Sequence, residues 1–325
     1  MHILVTGGAG YIGSVLIQNL LNQNYKVTVL DNLIFKQYSL HQCCLYENFK
    51  FINGDVLDYM QDESFLAKFD IIIPLAALVG APICDNKKNL SYLINYEAIS
   101  NLTKNTSKNQ MIIMPVSNSG YGISNNTEYC DESSPLNPIS VYGQTKVDAE
   151  KKILERVNSI SLRLATVFGM SPRMRLDLIV NNFVYKAVCD KSLVIFEGHF
   201  RRNFIHIRDV SNAFIFCIDN FEKMKSNIFN VGNDDANMTK IDLAKLIFHI
   251  YPKFTIIEND IAEDPDKRDY LVSNEKIKSY GFKCQYSIEN GIKELVKGMQ
   301  ILPTSAFSNT QWVVEYAVEV ILQAL

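Results

Sequence analysis

Thr6-Gly7-Gly8-Ala9-Gly10-Tyr11-Ile12-Gly13 follows directly on the apolar run His2-Ile3-Leu4-Val5 and leads at once into an apolar-periodic stretch from Tyr11 to Asn22. Glycines spaced three apart between a strand and a helix answer a physical need. The turn is tight, the backbone must approach a pyrophosphate closely, and the helix N-terminus offers amide donors and a partial positive charge. The next β-rich run, Lys26 to Leu30, ends at Asp31, a carboxylate placed to accept hydrogen bonds from a ribose hydroxyl. Strand, glycine loop, helix, strand and acidic residue in this order predict a dinucleotide-binding βαβ unit, with Gly7, Gly10, Tyr11, Ile12 and Gly13 as its cofactor loop. Asp31 favours NAD over NADP, because its charge repels a 2′-phosphate and its neighbours Asn32 and Leu33 bring no cation.

The same alternation continues outward from this unit. Short apolar runs at 2–5, 26–30, 49–53, 70–75, 111–116 and 160–164 read as strands, and helical patterns separate most of them, including one from Val141 to about Asn158. Their near-continuous apolar character suits strands covered on both faces. The fold class is therefore α/β, a Rossmann doubly wound parallel sheet. Beyond about residue 170 the pattern loosens into helices near 176–190, 209–220 and 239–250, with a strand and loop at 193–207. The expected organisation is a cofactor-binding domain over 1–170, a smaller mixed α/β substrate-binding portion over 171–302, and a tail at 303–325 of unassigned role that reads as an amphipathic helix. Ligands of open α/β sheets sit at the carboxyl ends of the strands, so the cleft is expected there.

Composition excludes several classes of partner. The chain has 325 residues, 47% hydrophobic and 21% charged, with a net charge of −3. Lysines and arginines are scattered, which leaves no footprint for nucleic acid and no polybasic stretch for a membrane surface. The start, MHILVTGGAG, has no charged leader ahead of its apolar run, and the longest apolar stretch, 71–83, is too short to span a bilayer; a cytoplasmic protein is expected. Seven cysteines without CxxC spacing suggest reduced thiols, and no metal site is expected.

Tyr142 and Lys146 stand four apart in a helical pattern and so share a face. A tyrosine titrates near 10, but an adjacent ammonium and a nicotinamide ring would both favour its phenolate, a usable general base. Ser117, in Val116-Ser117-Asn118-Ser119-Gly120-Tyr121-Gly122 at the end of a strand, offers a hydroxyl where a substrate oxygen would be held.

Taken together, TGGAGYIG, Asp31, GDV at 54–56, LAAL at 75–78, SNSGYG at 117–122, YGQTK at 142–146, LRLATVFG at 162–169 and RRNFIHIRDV at 201–210 resemble the extended short-chain dehydrogenase/reductases that act on nucleotide sugars, the NAD-dependent epimerase/dehydratases. The resemblance covers about 1–300. It implies a tightly bound NAD lined also by Asn32, Asp55, Val56, Leu75, Ala76, Ala77 and Asn95, with Ser117, Tyr142 and Lys146 as the catalytic residues. It implies that Tyr142 takes the proton from a sugar hydroxyl, usually at C4, while Lys146 holds the cofactor ribose. Val79, Ser117, Asn118, Ser119, Thr166, Arg175, Asn181, Arg202 and Arg268 are the implied substrate contacts, Arg202 and Arg268 facing the diphosphate as bidentate cations do. Asp55 is also a natural helix cap, and His206, in an apolar run, reads as a core residue.

Two departures from the family pattern matter. The 4,6-dehydratases carry an Asp-Glu pair after the catalytic hydroxyl, where this chain has Asn118 and Ser119, so dehydration is disfavoured. Thr166, Phe168 and Met170 replace the usual Asn, Tyr and Pro. LAALVGAP at 75–82, SPRMRLDL at 171–178 and EDPDKRDYLVSN at 263–274 are similar to a narrower branch, the GDP-manno-heptose 4-dehydrogenases of bacterial capsule synthesis. That likeness implies release of a 4-keto sugar, with a 2-oxo acid as possible hydride acceptor. The alternative is a UDP-glucose/galactose-type 4-epimerase that retains NAD. A non-catalytic NAD sensor is the rival of another class, and the intact Ser117, Tyr142 and Lys146 count against it. The family resemblance further implies a homodimer or homotetramer.

Overall fold

The computed structural model describes residues 1–36, 38–124, 129–259 and 267–302. The tail expected to form a helix, 303–325, lies outside the described residues. In chain order the strands are β1 (His2–Thr6), β2 (Lys26–Asp31), β3 (Phe49–Asn53), β4 (Ile71–Pro74), β5 (Met111–Ser117), β6 (Tyr129–Cys130), β7 (Ser159–Leu164), β8 (Thr166–Phe168), β9 (Ser192–Phe196), β10 (Arg201–His206), β11 (Asn227–Val231), β12 (Asn233–Thr239), β13 (Thr255–Asn259) and β14 (Leu271–Val272).

Seven strands form one parallel sheet in the order β11-β7-β5-β4-β1-β2-β3. Ile3, Leu4, Val5, Ile71, Ile72 and Ile73 are all fully buried, as strands covered on both faces must be. The order reverses direction between β1 and β4, and there the carboxyl ends of the strands part to leave a crevice.

The helix Tyr11–Asn22 follows β1 and buries Leu16, Ile17, Leu20 and Leu21. Its outer side meets the helix Ile207–Asp219, where Asn19 Nδ2 donates to Ser211 Oγ at 2.9 Å. The helix that carries the tyrosine and lysine runs Val141–Ile153, capped by Ser140, whose Oγ accepts from Gly143 N at 3.1 Å. It ends about a turn before the expected Asn158. The Arg156 side chain donates to Thr106 O at 2.8 Å and Asn158 Nδ2 to Lys108 O at 2.7 Å. These long-range bonds turn the chain into β7 instead of prolonging the helix.

Beyond residue 170 the chain is not spatially separate from what precedes it. β8 leaves the main sheet to pair with β10 in a three-stranded sheet, ordered β12-β10-β8, while β11 returns to become an edge of the seven-stranded sheet. The boundary expected at 170 is thus crossed in both directions. The later segments 173–179, Arg202 and 268–270 come to lie across the crevice. His206 is buried, its Nε2 2.8 Å from Glu294 Oε2, away from that crevice. Among the described residues no helix is long and apolar enough to cross a membrane.

One ionic cluster ties the parts together beneath the sheet end. Glu150 lies one turn beyond Lys146, and Arg163 on β7 reaches it with Nη2 at 2.6 Å and Nε at 3.1 Å; the two residues are 2% and 4% exposed. Ser161 Oγ donates to the same carboxylate at 2.7 Å, and Arg163 Nη1 donates to Tyr121 Oη at 3.0 Å. Tyr121 in turn bonds Asn230 on β11 at 2.8 Å. Helix, β7, β11 and the turn after β5 are therefore locked by one cation and one anion. Removing one partner strands a buried charge, so Arg163→Met is expected to cost about 3–5 kcal/mol, and Glu150→Gln combined with Arg163→Met distinctly less than the sum of the single costs. Denaturant unfolding of the three variants measures this.

Candidate active site

The glycine loop has its conformation because nothing larger fits. Gly7 has φ +65°, and a Cβ there would stand 2.5 Å from the Ala76 backbone nitrogen. A Cβ on Gly13 would stand 2.5 Å from the Gly8 carbonyl oxygen. Gly10 is the N-cap of the helix Tyr11–Asn22 and provides no side-chain cap, which leaves first-turn amides available to an anion. At the end of β2, Asp31 braces the loop: Oδ2 accepts from Ala9 N at 2.9 Å and Oδ1 from Leu33 N at 2.8 Å. Burial raises its pKa, while those two amides and Arg173 oppose the rise.

A cleft of about 450 Å³ opens at the switch point. Gly7, Gly10, Tyr11, Ile12, Gly13, Asp31, Asn32, Asp55, Val56, Leu75, Ala76 and Ala77, all expected at a cofactor, line it. Asp55 also performs the plainer task, accepting from Leu57 N at 2.9 Å as the cap of Val56–Tyr59, while Asn32 Nδ2 donates to it at 3.1 Å. Tyr11 lends its ring to the wall but uses its hydroxyl elsewhere, donating to Gly169 O at 2.7 Å. A loop cleared of Cβ atoms, an uncapped helix N-terminus and a carboxylate at the second strand end suit a dinucleotide.

The same cleft is also lined by Ser117, Tyr142 and Lys146. Ser117 closes β5, and its Oγ accepts from Ser119 N at 3.1 Å. Burial pushes the Tyr142 hydroxyl up to about 12, with Arg175, Arg268 and a hydrogen bond to Ser117 pulling the other way. Sequence spacing points to Lys146 as the cation that favours the phenolate; in the folded chain the leading cations are Arg175 and Arg268. Lys146 itself is pushed down to about 8 by burial, opposed by Cys84 and Glu150.

Of the residues expected at a substrate, Val79, Thr166, Arg175, Arg202 and Arg268 also line the cleft. Arg175 is clamped by Asp177 at 2.6 Å, and the Arg202 guanidinium lies 5.7 Å from the centre of the Tyr270 ring. Three others, Asn118, Ser119 and Asn181, and Asn95, expected at the cofactor, do not line it. Asn95 is buried, its Oδ1 accepting from Leu78 N at 2.9 Å and its Nδ2 donating to Leu78 O at 3.0 Å, so it shapes the loop after β4 rather than facing the cleft. Asn181 likewise holds the Gly169 amide at 3.0 Å and the Arg175 carbonyl at 2.9 Å. Asn118 and Ser119 belong to the 3₁₀ turn Asn118–Tyr121, which carries them into the protein, 1% and 2% exposed.

Sequence reading missed Arg173, and with it the electrostatics around Asp31. Its neighbours in sequence bring no cation, but tertiary structure delivers this one from beyond β8, 2% exposed and on the cleft wall. Burial pulls the Arg173 pKa down to about 10, Arg175 adds to the fall, and Asp177 and Asp31 resist it. The doubled arginine in SPRMRLDL was the available signal, and spacing alone did not show which arginine faces Asp31.

The depressed pKa of Lys146 has a consequence for stability. A buried ammonium disfavours the folded state at every pH below about 8, and the cost fades as pH rises toward 10.5, where the unfolded chain also loses the proton. Lys146→Met is therefore expected to stabilise the cofactor-free protein at pH 7 by roughly 1–3 kcal/mol, with the gain shrinking between those two values. Thermal unfolding across pH reads both.

Known proteins resemble this chain in sequence and in fold. Over 314 residues the chain is 28% identical to a putative UDP-glucose 4-epimerase of Methanocaldococcus jannaschii, covering 92% of this chain and 98% of that protein. It is 28% identical to the dTDP-D-glucose 4,6-dehydratase of Mus musculus, over 91% and 88% of the two chains. Its fold matches the UDP-glucuronic acid 4-epimerase of Bacillus cereus, solved with UDP-glucuronic acid and NAD, with a TM-score of 0.82 at 23% identity over 92% and 99% of the chains. Residues 3–232, which hold the glycine loop, Asp31 and all three of Ser117, Tyr142 and Lys146, match the NAD dependent epimerase/dehydratase family, and the chain is a member of that family, with NAD as its cofactor.

Proposed function

We propose that this chain oxidises a nucleotide-activated sugar at its C4 hydroxyl. The observation that carries the reading is that Ser117, Tyr142 and Lys146 line the same cleft as the cofactor loop. Bound NAD supplies the hydride acceptor. Tyr142 takes the hydroxyl proton, and Ser117, one of the groups that draw the Tyr142 pKa down, orients the same hydroxyl. Lys146 binds the cofactor ribose, while Arg175 and Arg268 are the cations that favour the phenolate. Arg202 and Arg268, on the same cleft, suit the two phosphates of a sugar nucleotide.

The fate of the keto sugar separates two readings. The narrower sequence likeness supports a dehydrogenase acting on a GDP-manno-heptose or related sugar nucleotide in surface polysaccharide synthesis, with a 2-oxo acid reoxidising the cofactor. The likeness to the putative UDP-glucose 4-epimerase of Methanocaldococcus jannaschii supports the second reading, return of hydride to the opposite face of the sugar. Dehydration is the least supported, since Asn118 and Ser119 have no titratable group and lie behind the wall.

Incubating the protein with GDP-, UDP-, dTDP- and CDP-sugars, GDP-manno-heptose included, together with NAD and a 2-oxo acid, decides between them. A product lighter by about two mass units, the two hydrogens lost in hydroxyl oxidation, is the result expected for a dehydrogenase. Unchanged mass with a new proton-NMR pattern identifies an epimerase and displaces that reading. Tyr142→Phe is expected to lower turnover by roughly 10²–10⁴-fold while NAD affinity holds; unaltered turnover would remove Tyr142 from its role as base.

A further inference from the structure

The end of the cleft marked by Asp31 is walled on one side by a residue from the far half of the chain. The Arg173 guanidinium carbon lies 4.1 Å from the centre of the Phe35 ring, on the loop that follows β2, and both residues line the cleft beside Asp31. A guanidinium at that distance over an aromatic ring makes a cation–π contact, stronger when desolvated, and Arg173 is 2% exposed. Two residues flanking Phe35, Leu33 with φ 53° and Lys36 with φ 49°, hold left-handed conformations uncommon for side chains with a Cβ. Such conformations persist where the surroundings impose them. The segment bearing Arg173 is anchored as well: Ser171 Oγ accepts from Arg173 N at 3.3 Å and donates to Tyr11 O at 2.8 Å, at the start of the glycine-loop helix.

We propose that Arg173 and Phe35 form a clasp over the adenosine half of NAD, joining the segment after β8 to the loop after β2 and setting how slowly the cofactor leaves. The inference rests on the assignment of NAD to this cleft. The rest of the adenosine end comes from the loops after β1, β2 and β3, so a residue arriving from beyond β8 closes it with a part of the chain that none of those loops supplies. Arginine suits the task. Its planar fork stacks on an aromatic ring while its donors remain directed at hydroxyl and carboxylate oxygens, and Asp31 is close enough for the two charges to influence each other. The clasp also bears on the fate of the keto sugar: an enzyme that returns hydride to the same sugar needs a cofactor that stays, and a dehydrogenase with a clasped cofactor must have it reoxidised in place.

The test compares wild-type protein with Arg173→Ala, Phe35→Ala and the double variant. Nucleotide released on denaturing each purified protein is quantified, and the Kd and dissociation rate of NAD are measured on nucleotide-stripped samples. Each single variant is expected to bind NAD roughly tenfold more weakly, chiefly through faster dissociation, and the double variant little worse than either, because both changes remove one contact. Single variants that bind and retain NAD like the wild type overturn the clasp. So does an Arg173→Ala protein that loses affinity for NADP alone, which would assign the arginine to a 2′-phosphate. Should Arg173→Ala fail to fold, Phe35→Ala, on a half-exposed loop, carries the test. A stripped wild-type protein that binds no NAD overturns the cofactor assignment itself, and that result is separate because it appears before any substitution.

Discussion

The whole site depends on one close approach, that of the backbone after β1 to the backbone after β4. Gly7 stands where a Cβ would be 2.5 Å from Ala76 N, so two loops that leave neighbouring parallel strands can touch at the point where strand order reverses. Any larger residue would push the loops apart, and Gly7 N would lose its bond to Leu30 O at 2.8 Å. That single contact shapes the floor of the cleft and aims the N-terminus of the next helix at it. The walls are arranged around this floor: Asp31 braces the loop from one side, and Asn95 fixes the loop after β4 from the other.

The part of the cleft lined by Tyr142 and Lys146 has a different kind of support. Tyr142, Lys146 and Glu150 recur at one-turn intervals along a single helix, so their order in space follows from the helical repeat. Glu150 is held by Arg163, which also holds Tyr121 in the turn directly after Ser117. The spacing of Tyr142, Lys146 and Ser117 is therefore set by a buried ionic cluster that never touches the cleft. The cost is a lysine kept in a place that disfavours its charge, the pattern expected where stability is traded for chemistry.

Much of this was legible in the chain itself. The glycine loop, Asp31, and the pairing of Tyr142 with Lys146 rest on spacings within one loop or one helix, and local geometry carries them into the fold unchanged. Ser117 was readable because it ends a strand whose neighbours were readable too. Other positions were not. Asn118 and Ser119 follow Ser117 directly, but a 3₁₀ turn rotates them behind the wall. Asn95 and Asn181 are polar residues in the right segments whose amides are consumed by backbone groups of neighbouring loops. For the two asparagines a long-range packing choice decided which way the side chain faces, and for Asn118 and Ser119 the turn after β5 did.

The sequence alone determined the family, the cofactor and the parallel sheet, because each follows from periodicity or from residues a few positions apart. Tertiary structure decided where the later half of the chain goes. It returned β11 to the main sheet, carried β8 out of it, and set Arg173 against Phe35 and beside Asp31, where sequence neighbours bring no cation at all. The physical reason is the same throughout. Local spacing specifies the face of a helix or the end of a strand, whereas the charge felt at a site sums over everything that folding brings near it.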